Sequence, residues 1–250
     1  MATPEDHLLA TQLAEAAGQL LLTVRAELVQ QHAETSEIKD QGDKRAHAYL
    51  MQQLATQRPA DSVLSEESSE EDRFDPARLS ADRVWVIDPL DGTREFGEGR
   101  SDWAVHVALV EAGVPTAGAV ALPGLGLVFS TDSPPALPAP GHPLRVIVSR
   151  SRPPEEALKI AEALGAEVVE MGSAGAKAMA ILRGEADVYP HSGGQFEWDS
   201  CAPVAVATAA GLSCTRLDGS PLLYNNADPY LPDLLICRPA NTEQVLAVVN

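Results

Sequence analysis

The sequence predicts an α/β protein of stacked helix and sheet layers. Three features predict it. Apolar residues keep helical spacing through the opening segment. Short apolar or alternating runs, bounded by turn residues, fill the middle of the chain. After a proline-rich break, strand-like and helix-like patterns alternate.

Thr3-Pro4-Glu5 is a helix start, with a capping Thr, a Pro in the first turn and acids behind it. Leu9, Leu13, Ala16, Ala17, Leu20, Leu21 and Val24 then mark one apolar face, so a helix is expected from Pro4 to Val29. The polar stretch His32–Gly42 breaks the pattern, and a second helix is expected over Asp43–Gln57, before Pro59. Asp61–Glu67 reads as a short strand running into acids, and Glu67–Arg83 as a charged loop. An apolar strand follows at Val84–Ile87. Trp103–Glu111 alternates as a strand, Ala112–Pro115 is a turn, and Thr116–Leu122 and Leu125–Ser130 continue an antiparallel sheet.

Ser133–Pro143, SPPALPAPGHP, is a linker, because its prolines prevent regular structure. It divides the expected subdomains, residues 1–132 and 144–250. Beyond it come strands at Leu144–Val148, Glu167–Met171, Ala186–Pro190 and Ser213–Leu217. Helices at Pro154–Leu164, Ser173–Arg183 and Asp199–Ala210 lie between them. The second half should form a smaller mixed sheet between helices.

The bulk numbers exclude several functions. The 250 residues carry 36 acids against 18 Lys and Arg, a net charge of −18 that repels polynucleotide phosphate. No apolar run is long enough to span a bilayer. The N-terminus has early acids and no cationic segment before an apolar one, which does not describe a signal peptide, so a cytoplasmic location is expected. Cys201, Cys214 and Cys237 are far apart and read as reduced, mostly buried thiols.

The chemistry concentrates where the strand Val84–Ile87 runs into Asp88-Pro89-Leu90-Asp91-Gly92-Thr93. Asp-Pro and Asp-Gly are both turn dipeptides, which explains each residue singly but not the set. Two carboxylates suit a hard cation such as Mg²⁺, and a helix opening after Gly92 presents backbone N–H groups to a phosphate. Together they imply metal-assisted chemistry on a phosphate ester. Glu66-Glu67 alone reads as a solvated loop, but the apolar lead-in Val63-Leu64 and the nearby motif favour a ligand. Asp199 alone reads as a helix cap. With the earlier acids it becomes a metal ligand supplied by the second half, at the seam between subdomains, while Glu197 reads as a surface acid. Gly172–Lys177 opens another helix, where Lys177 either meets a phosphate or lies in solvent. His106 and His191 read as structural, and Trp85, Trp103 and Trp198 as core or seam residues.

The order Glu66-Glu67, DPLDGT at Asp88–Thr93 and Trp198-Asp199 resembles the inositol monophosphatase superfamily of Mg²⁺-dependent, lithium-sensitive phosphatases, over nearly the whole chain. Leu64–Glu67 and Asp91–Phe96 are most similar to its CysQ branch. The inositol branch has a Thr and an Asn where this chain has Arg94 and Glu95. The stretch DGSPLLYNNADPYLPDLLIC and the segment GSAGAKAMA resemble actinobacterial members. CysQ enzymes are 3′(2′),5′-bisphosphate nucleotidases, which remove the 3′-phosphate of 3′-phosphoadenosine 5′-phosphate, a by-product of sulfate assimilation.

The resemblance implies metal ligation by Glu66, Asp88, Asp91 and Asp199 with the Leu90 carbonyl, around two or three Mg²⁺ ions. It implies phosphate contacts at Gly92 and Thr93, substrate contacts at Arg94, Ser173 and Lys177, and an Asp43–Thr93 pair. Thr93, polarised by Asp43 or Glu66, would orient the water that attacks phosphorus. The family's usual Thr-Ala before that acid is Gln41-Gly42 here. Relatives are commonly homodimers. Inositol monophosphates and fructose 1,6-bisphosphate are the alternative substrates, and an inactive metal-dependent binding module is the alternative of another class. Intact acids at all four positions argue against the last.

Overall fold

Helices α1 (Pro4–Gln30) and α2 (Thr35–Gln57) pack on each other and on one face of the first sheet in the computed structural model, which describes residues 1–249. At the start of α1 the Thr3 N–H donates to Asp6 Oδ2 at 2.9 Å, and Arg58 Nε and Arg83 Nη2 both reach Asp6 Oδ1 at 2.9 Å. Burial opposes ionisation of Asp6, but the Thr3 backbone and the two guanidiniums outweigh it and hold the carboxyl well below the usual carboxylate range.

Helix α2 begins at Thr35, not at Asp43, so the polar stretch His32–Gly42 is mostly helical. Its polar residues face outward, while Ile38 and Gly42 are buried. Gly42 is a close-approach residue: a Cβ there would stand 2.8 Å from Phe96 Cε1 and 3.1 Å from Leu90 Cδ2. Gly42→Ala gains about 1 kcal/mol of helix propensity, but overpacking against buried rings costs about 1–3 kcal/mol. The variant is expected to unfold at lower urea concentration than wild type. An unchanged or higher midpoint would show that α2 can move aside freely.

The first sheet has the order β1-β2-β3-β4-β5. Strand β1 (Ser62–Ser65) leads through two short helices, α3 (Glu70–Arg73) and α4 (Pro76–Ser80), to β2 (Arg83–Asp91). The expected loop Glu67–Arg83 thus contains two capped turns, with Ser69 accepting from the Asp72 N–H and Asp75 from the Ala77 N–H. Helix α5 (Thr93–Glu98) follows, then β3 (Ala104–Glu111), β4 (Val114–Leu122), a 3₁₀ turn at Pro123–Leu125, and β5 (Leu127–Ser130). The expected turn is only Ala112-Gly113, and the last strand begins after the 3₁₀ turn. Strand β1 is parallel to β2, so the sheet is not wholly antiparallel as expected. The other pairs are antiparallel.

Residues 133–143 run without helix or strand to β6 (Arg145–Ser149). Then come α6 (Glu155–Leu164), β7 (Glu167–Met171), α7 (Ala174–Leu182), β8 (Val188–Phe196), α8 (Glu197–Ala209), β9 (Ser213–Thr215), β10 (Tyr230–Cys237) and α9 (Pro239–Val249). The second sheet is mixed, as expected, in the order β7-β6-β8-β10-β9, but it is not smaller: each sheet has five strands. The sequence patterns left β10 and α9 unread.

Side-chain alternation along β2 explains the layering. Trp85 and Ile87 enter a core with α1 and α2, while Val84 and Val86 enter one with α7 and α8. That second core continues into Leu234 and Ile236 of β10, and the far face of the second sheet, with Val146, Val148 and Leu235, is covered by α6 and α9. Helix and sheet layers therefore alternate, with α7 and α8 clamped between the two sheets. Cys201 and Cys237 are buried and Cys214 partly so, all as free thiols. Among the described residues no helix is long and apolar enough to cross a membrane.

Candidate active site

The motif strand owes its geometry to a bulge. Asp88 lies opposite His106 and Asp91 opposite Ala104, so three steps on β2 match two on β3. In an unbroken strand, side chains three apart point to opposite faces. The extra residue turns Asp91 back towards Asp88. Helix α8 brings Asp199 to the same place. Asp88, Asp91 and Asp199 each offer a carboxylate oxygen within 4.8 Å of the others'. Asp199 is not itself the helix cap, the reading it would have had taken alone. Phe196 occupies the cap, and the Asp199 carboxylate reaches back from the first turn to accept its N–H at 2.6 Å.

Glu66 follows β1. Its N–H donates to the Ile87 carbonyl at 3.3 Å, extending the parallel pairing so that its carboxyl lies beside that of Asp88. Glu67 is exposed. Like charges and poor solvation act on this group together. Burial, then Asp91, Glu67 and Asp43, push Glu66 up to about 7, and burial with Asp91 pushes Asp199 up to about 7. Asp88 is raised well above the usual range by burial and by its three acidic neighbours.

Asp91 departs from this pattern. It accepts hydrogen bonds from Ser173 Oγ at 2.5 Å, the Gly175 N–H at 2.6 Å and the Ala174 N–H at 3.1 Å, where α7 opens. His106 Nε2 stands 3.2 Å from Asp91 Oδ2, an ion-pair contact, while Nδ1 donates to the Trp198 carbonyl at 2.9 Å. Burial opposes ionisation of Asp91, but His106, Lys177 and Ser173 prevail and bring it down to about 2. His106 itself is raised, because Asp91 outweighs burial. Gly175 makes the contact possible, since a Cβ there would stand 2.0 Å from His106 Nε2.

The other expected residues fall as follows. Asp43 shares a hydrogen bond with Thr93, whose hydroxyl also donates to the Leu90 carbonyl at 3.1 Å. Burial, with the charges of Glu67 and Asp40, raises Asp43 to about 7. Ser173 reaches the cleft, but its hydroxyl is engaged with Asp91 and with the Ala176 N–H. Lys177 is buried rather than in solvent, and Nζ donates to the Gly172 and Ser173 carbonyls at 2.7 Å each. Burial lowers it to about 8. Gly92, Thr93, Arg94, Ser173, Lys177 and Asp199 all line one cleft of about 290 Å³, with Arg152 and His191 on its border.

One expectation needs correction. Glu197 is no surface acid: it is fully buried and accepts from the Asn225 and Asn226 backbones. His106 is buried as a structural histidine is, and it also touches a motif carboxylate. The signal for His106 lay in the register of the β2–β3 pairing, which sets it opposite Asp88. The signal for Glu197 lay in the polar pair Asn225-Asn226 after an apolar run.

The donor set fits a hard divalent cation. All donors are oxygens, and Asp88 Oδ2 is buried with no hydrogen-bond partner among the described residues. Ligand oxygens on opposite sides of Mg²⁺ are about 4.2 Å apart, comparable with the spread of the three carboxylates.

The model of the inositol monophosphatase family matches residues 5–137 and 138–250 of this chain. The chain is 52% identical over 232 residues to a 3′-phosphoadenosine 5′-phosphate phosphatase of Mycobacterium tuberculosis, covering 89% of this chain and 85% of the relative. It is 31% identical to the 3′(2′),5′-bisphosphate nucleotidase CysQ of Escherichia coli, covering 76% and 80%. The crystal structure of CysQ from Bacteroides thetaiotaomicron superposes with a TM-score of 0.78 at 25% identity, over 94% of this chain and 97% of that one.

Proposed function

The chain belongs to the inositol monophosphatase family, and we propose that within it the protein is a Mg²⁺-dependent phosphatase that releases the 3′-phosphate of 3′-phosphoadenosine 5′-phosphate. The observation that carries the reading is the convergence of Asp88, Asp91 and Asp199, with Glu66 beside them, behind a cleft that Asp91 and Asp199 line together with Arg94, Arg152 and Lys177. Such a cleft has a place for cations and positive charge for an anionic substrate. The relatives named above supply the substrate.

In this reading Glu66, Asp88, Asp91, Asp199 and the Leu90 carbonyl hold two or three Mg²⁺ ions at the seam between subdomains 1–132 and 144–250. Bound there, Mg²⁺ acidifies water and neutralises phosphoryl charge. The residues of the chain do the rest. His106, Ser173 and the first N–H groups of α7 fix the orientation of Asp91. Thr93, held by the Leu90 carbonyl and Asp43, orients the attacking water. Asp43, balanced near neutral pH, can take and return a proton at Thr93 Oγ1. The oxygen of water bonds to phosphorus, the bond from phosphorus to the ribose 3′-oxygen breaks, and that oxygen takes up a proton. The products are AMP and phosphate, with no phosphoenzyme. A cytoplasmic homodimer serving sulfate assimilation completes the proposal.

Phosphate release from 3′-phosphoadenosine 5′-phosphate, inositol 1-phosphate and fructose 1,6-bisphosphate at saturating Mg²⁺ tests it. The nucleotide is expected to have a kcat/KM at least about 100-fold higher than the others, the discrimination that misfit polar groups readily produce. Li⁺ is expected to inhibit. Preference for either other substrate would move the protein to another branch, and no release from any would leave the binding-module reading.

A further inference from the structure

Two buried charges take no part in the reaction proposed above. Arg78 is 2% exposed and Glu197 is fully buried. They hold the same short segment. Arg78 donates to Asn225 Oδ1 and, through Nη2, to the Asn226 carbonyl at 3.1 Å. Glu197 accepts the Asn225 N–H at 2.6 Å, the Asn226 N–H at 2.8 Å and the Asn226 side-chain amide at 2.7 Å. Arg78 also donates to the Arg73 carbonyl, at 2.6 Å from Nη2. Arg73 in turn donates to the Glu66 carbonyl and lays its guanidinium 4.9 Å over the Trp198 ring. A continuous chain of contacts therefore runs from the backbone of Glu66 to the first turn of α8, which carries Asp199.

The energetics of this network argue against a role in stability alone. Buried charged groups, here each hydrogen-bonded to the Asn225-Asn226 segment and not to each other, are often no more stabilising than apolar side chains of similar volume, and fixing register is their best-attested use. Here a fixed register is needed. Glu66 lies at the end of a four-residue strand, beside Asp88 and Asp91, whose charges repel it once the cluster ionises. We propose that Arg73, Arg78 and Glu197 form a latch that seats the Glu66 arm of the acid cluster against the Asp199 arm, and so sets its affinity for a divalent cation. They are positioning residues, acting through Glu66 and Asp199. The inference rests on the reading that those two carboxylates share bound Mg²⁺.

The test is the Mg²⁺ concentration giving the half-maximal change in intrinsic tryptophan fluorescence and in Tm, measured on the full chain. Loss of an outer partner of a metal ligand typically weakens affinity about 10- to 100-fold. Arg73→Ala and Glu197→Gln are each expected to raise the midpoint by at least about 10-fold on that basis. Turnover at saturating Mg²⁺ should recover to within a few-fold of wild type. Lys159→Ala, which removes only an exposed pair with Glu155 on α6, should keep the wild-type midpoint. Wild-type midpoints in both Arg73→Ala and Glu197→Gln would overturn the latch, whatever their melting temperatures. A wild type whose fluorescence and Tm ignore Mg²⁺ would instead overturn the cation reading, and the latch with it.

Discussion

Asp88→Asn is expected to lower turnover by about 10³-fold or more and to leave the metal-free protein more stable than wild type. The two effects have one cause. Asp88 is 1% exposed, and its Oδ1 accepts the Leu90 N–H at 3.0 Å. Its other oxygen has no hydrogen-bond partner among the described residues and faces Glu66, Asp91 and Asp199. Asparagine keeps the acceptor for Leu90. It also removes one of the repelling charges and turns an amide towards the carboxylates that remain. Relief of a buried like-charge contact is worth roughly 1–3 kcal/mol. The catalytic loss follows from removing a charged ligand where charge stabilisation supplies most of the rate. Denaturation in EDTA at pH 8, alongside phosphate release with Mg²⁺, measures both. A variant less stable than wild type in EDTA, or one that keeps its activity, would sink the assignment.

Asp91 is not an equivalent probe, although the sequence presents the two acids as a pair. Three hydrogen-bond donors and the His106 contact converge on it, and they tie β2 to the start of α7. An Asn there would turn an amide towards at least one of those donors, at roughly 1–3 kcal/mol for each buried group left unpaired. Asp91→Asn should therefore lose stability as well as activity, which makes Asp88 the cleaner test of chemistry.

This asymmetry marks the boundary of what the sequence made legible. The spacing Asp88-Pro89-Leu90-Asp91 announced a turn rich in carboxylate, and most of the helices and strands were visible from apolar periodicity. The bulge that turns both carboxylates to one side was not, because it depends on the pairing of β2 with β3 and leaves no local mark. The polar stretch ending at Gly42 and the acid Glu197 were misread for a related reason. A glycine in a polar stretch and an acid at a helix start have ordinary local explanations, and only contacts with Phe96 and with Asn225-Asn226 reveal their tertiary roles. Lys177 allowed two readings, and its burial among carbonyls excludes the solvent-exposed one.

Without metal, the melting temperature is expected to fall as pH rises from 5 to 8, and Mg²⁺ should reverse most of that fall. Glu66 and Asp199 are raised from their ordinary values of 4.5 and 3.8 to about 7. A carboxyl raised on folding binds its proton more tightly in the native state. Its contribution to stability is complete below the unfolded value, near pH 4, and disappears as pH rises through the folded value. Asp6 and Asp91 have the opposite sign: their depressed values stabilise the protein above pH 4 and fail only in acid. The metal-free optimum therefore lies near pH 4–5, on the acid side of the usual range. Mg²⁺ competes with those protons and binds only the folded cluster. At 100 times its dissociation constant it would contribute about 2.7 kcal/mol, or roughly 5–10 °C for a protein of this size. Melting curves at pH 5 and pH 8, in EDTA and in Mg²⁺, give the four values needed. A metal-free Tm that rises between those pH values, or a pH 8 curve indifferent to Mg²⁺, would mean that the four carboxyls do not form one cation site. The Asp88→Asn protein supplies the internal check, because it should lose most of the response to Mg²⁺ while keeping the metal-free fall in Tm that burial of Glu66 and Asp199 produces.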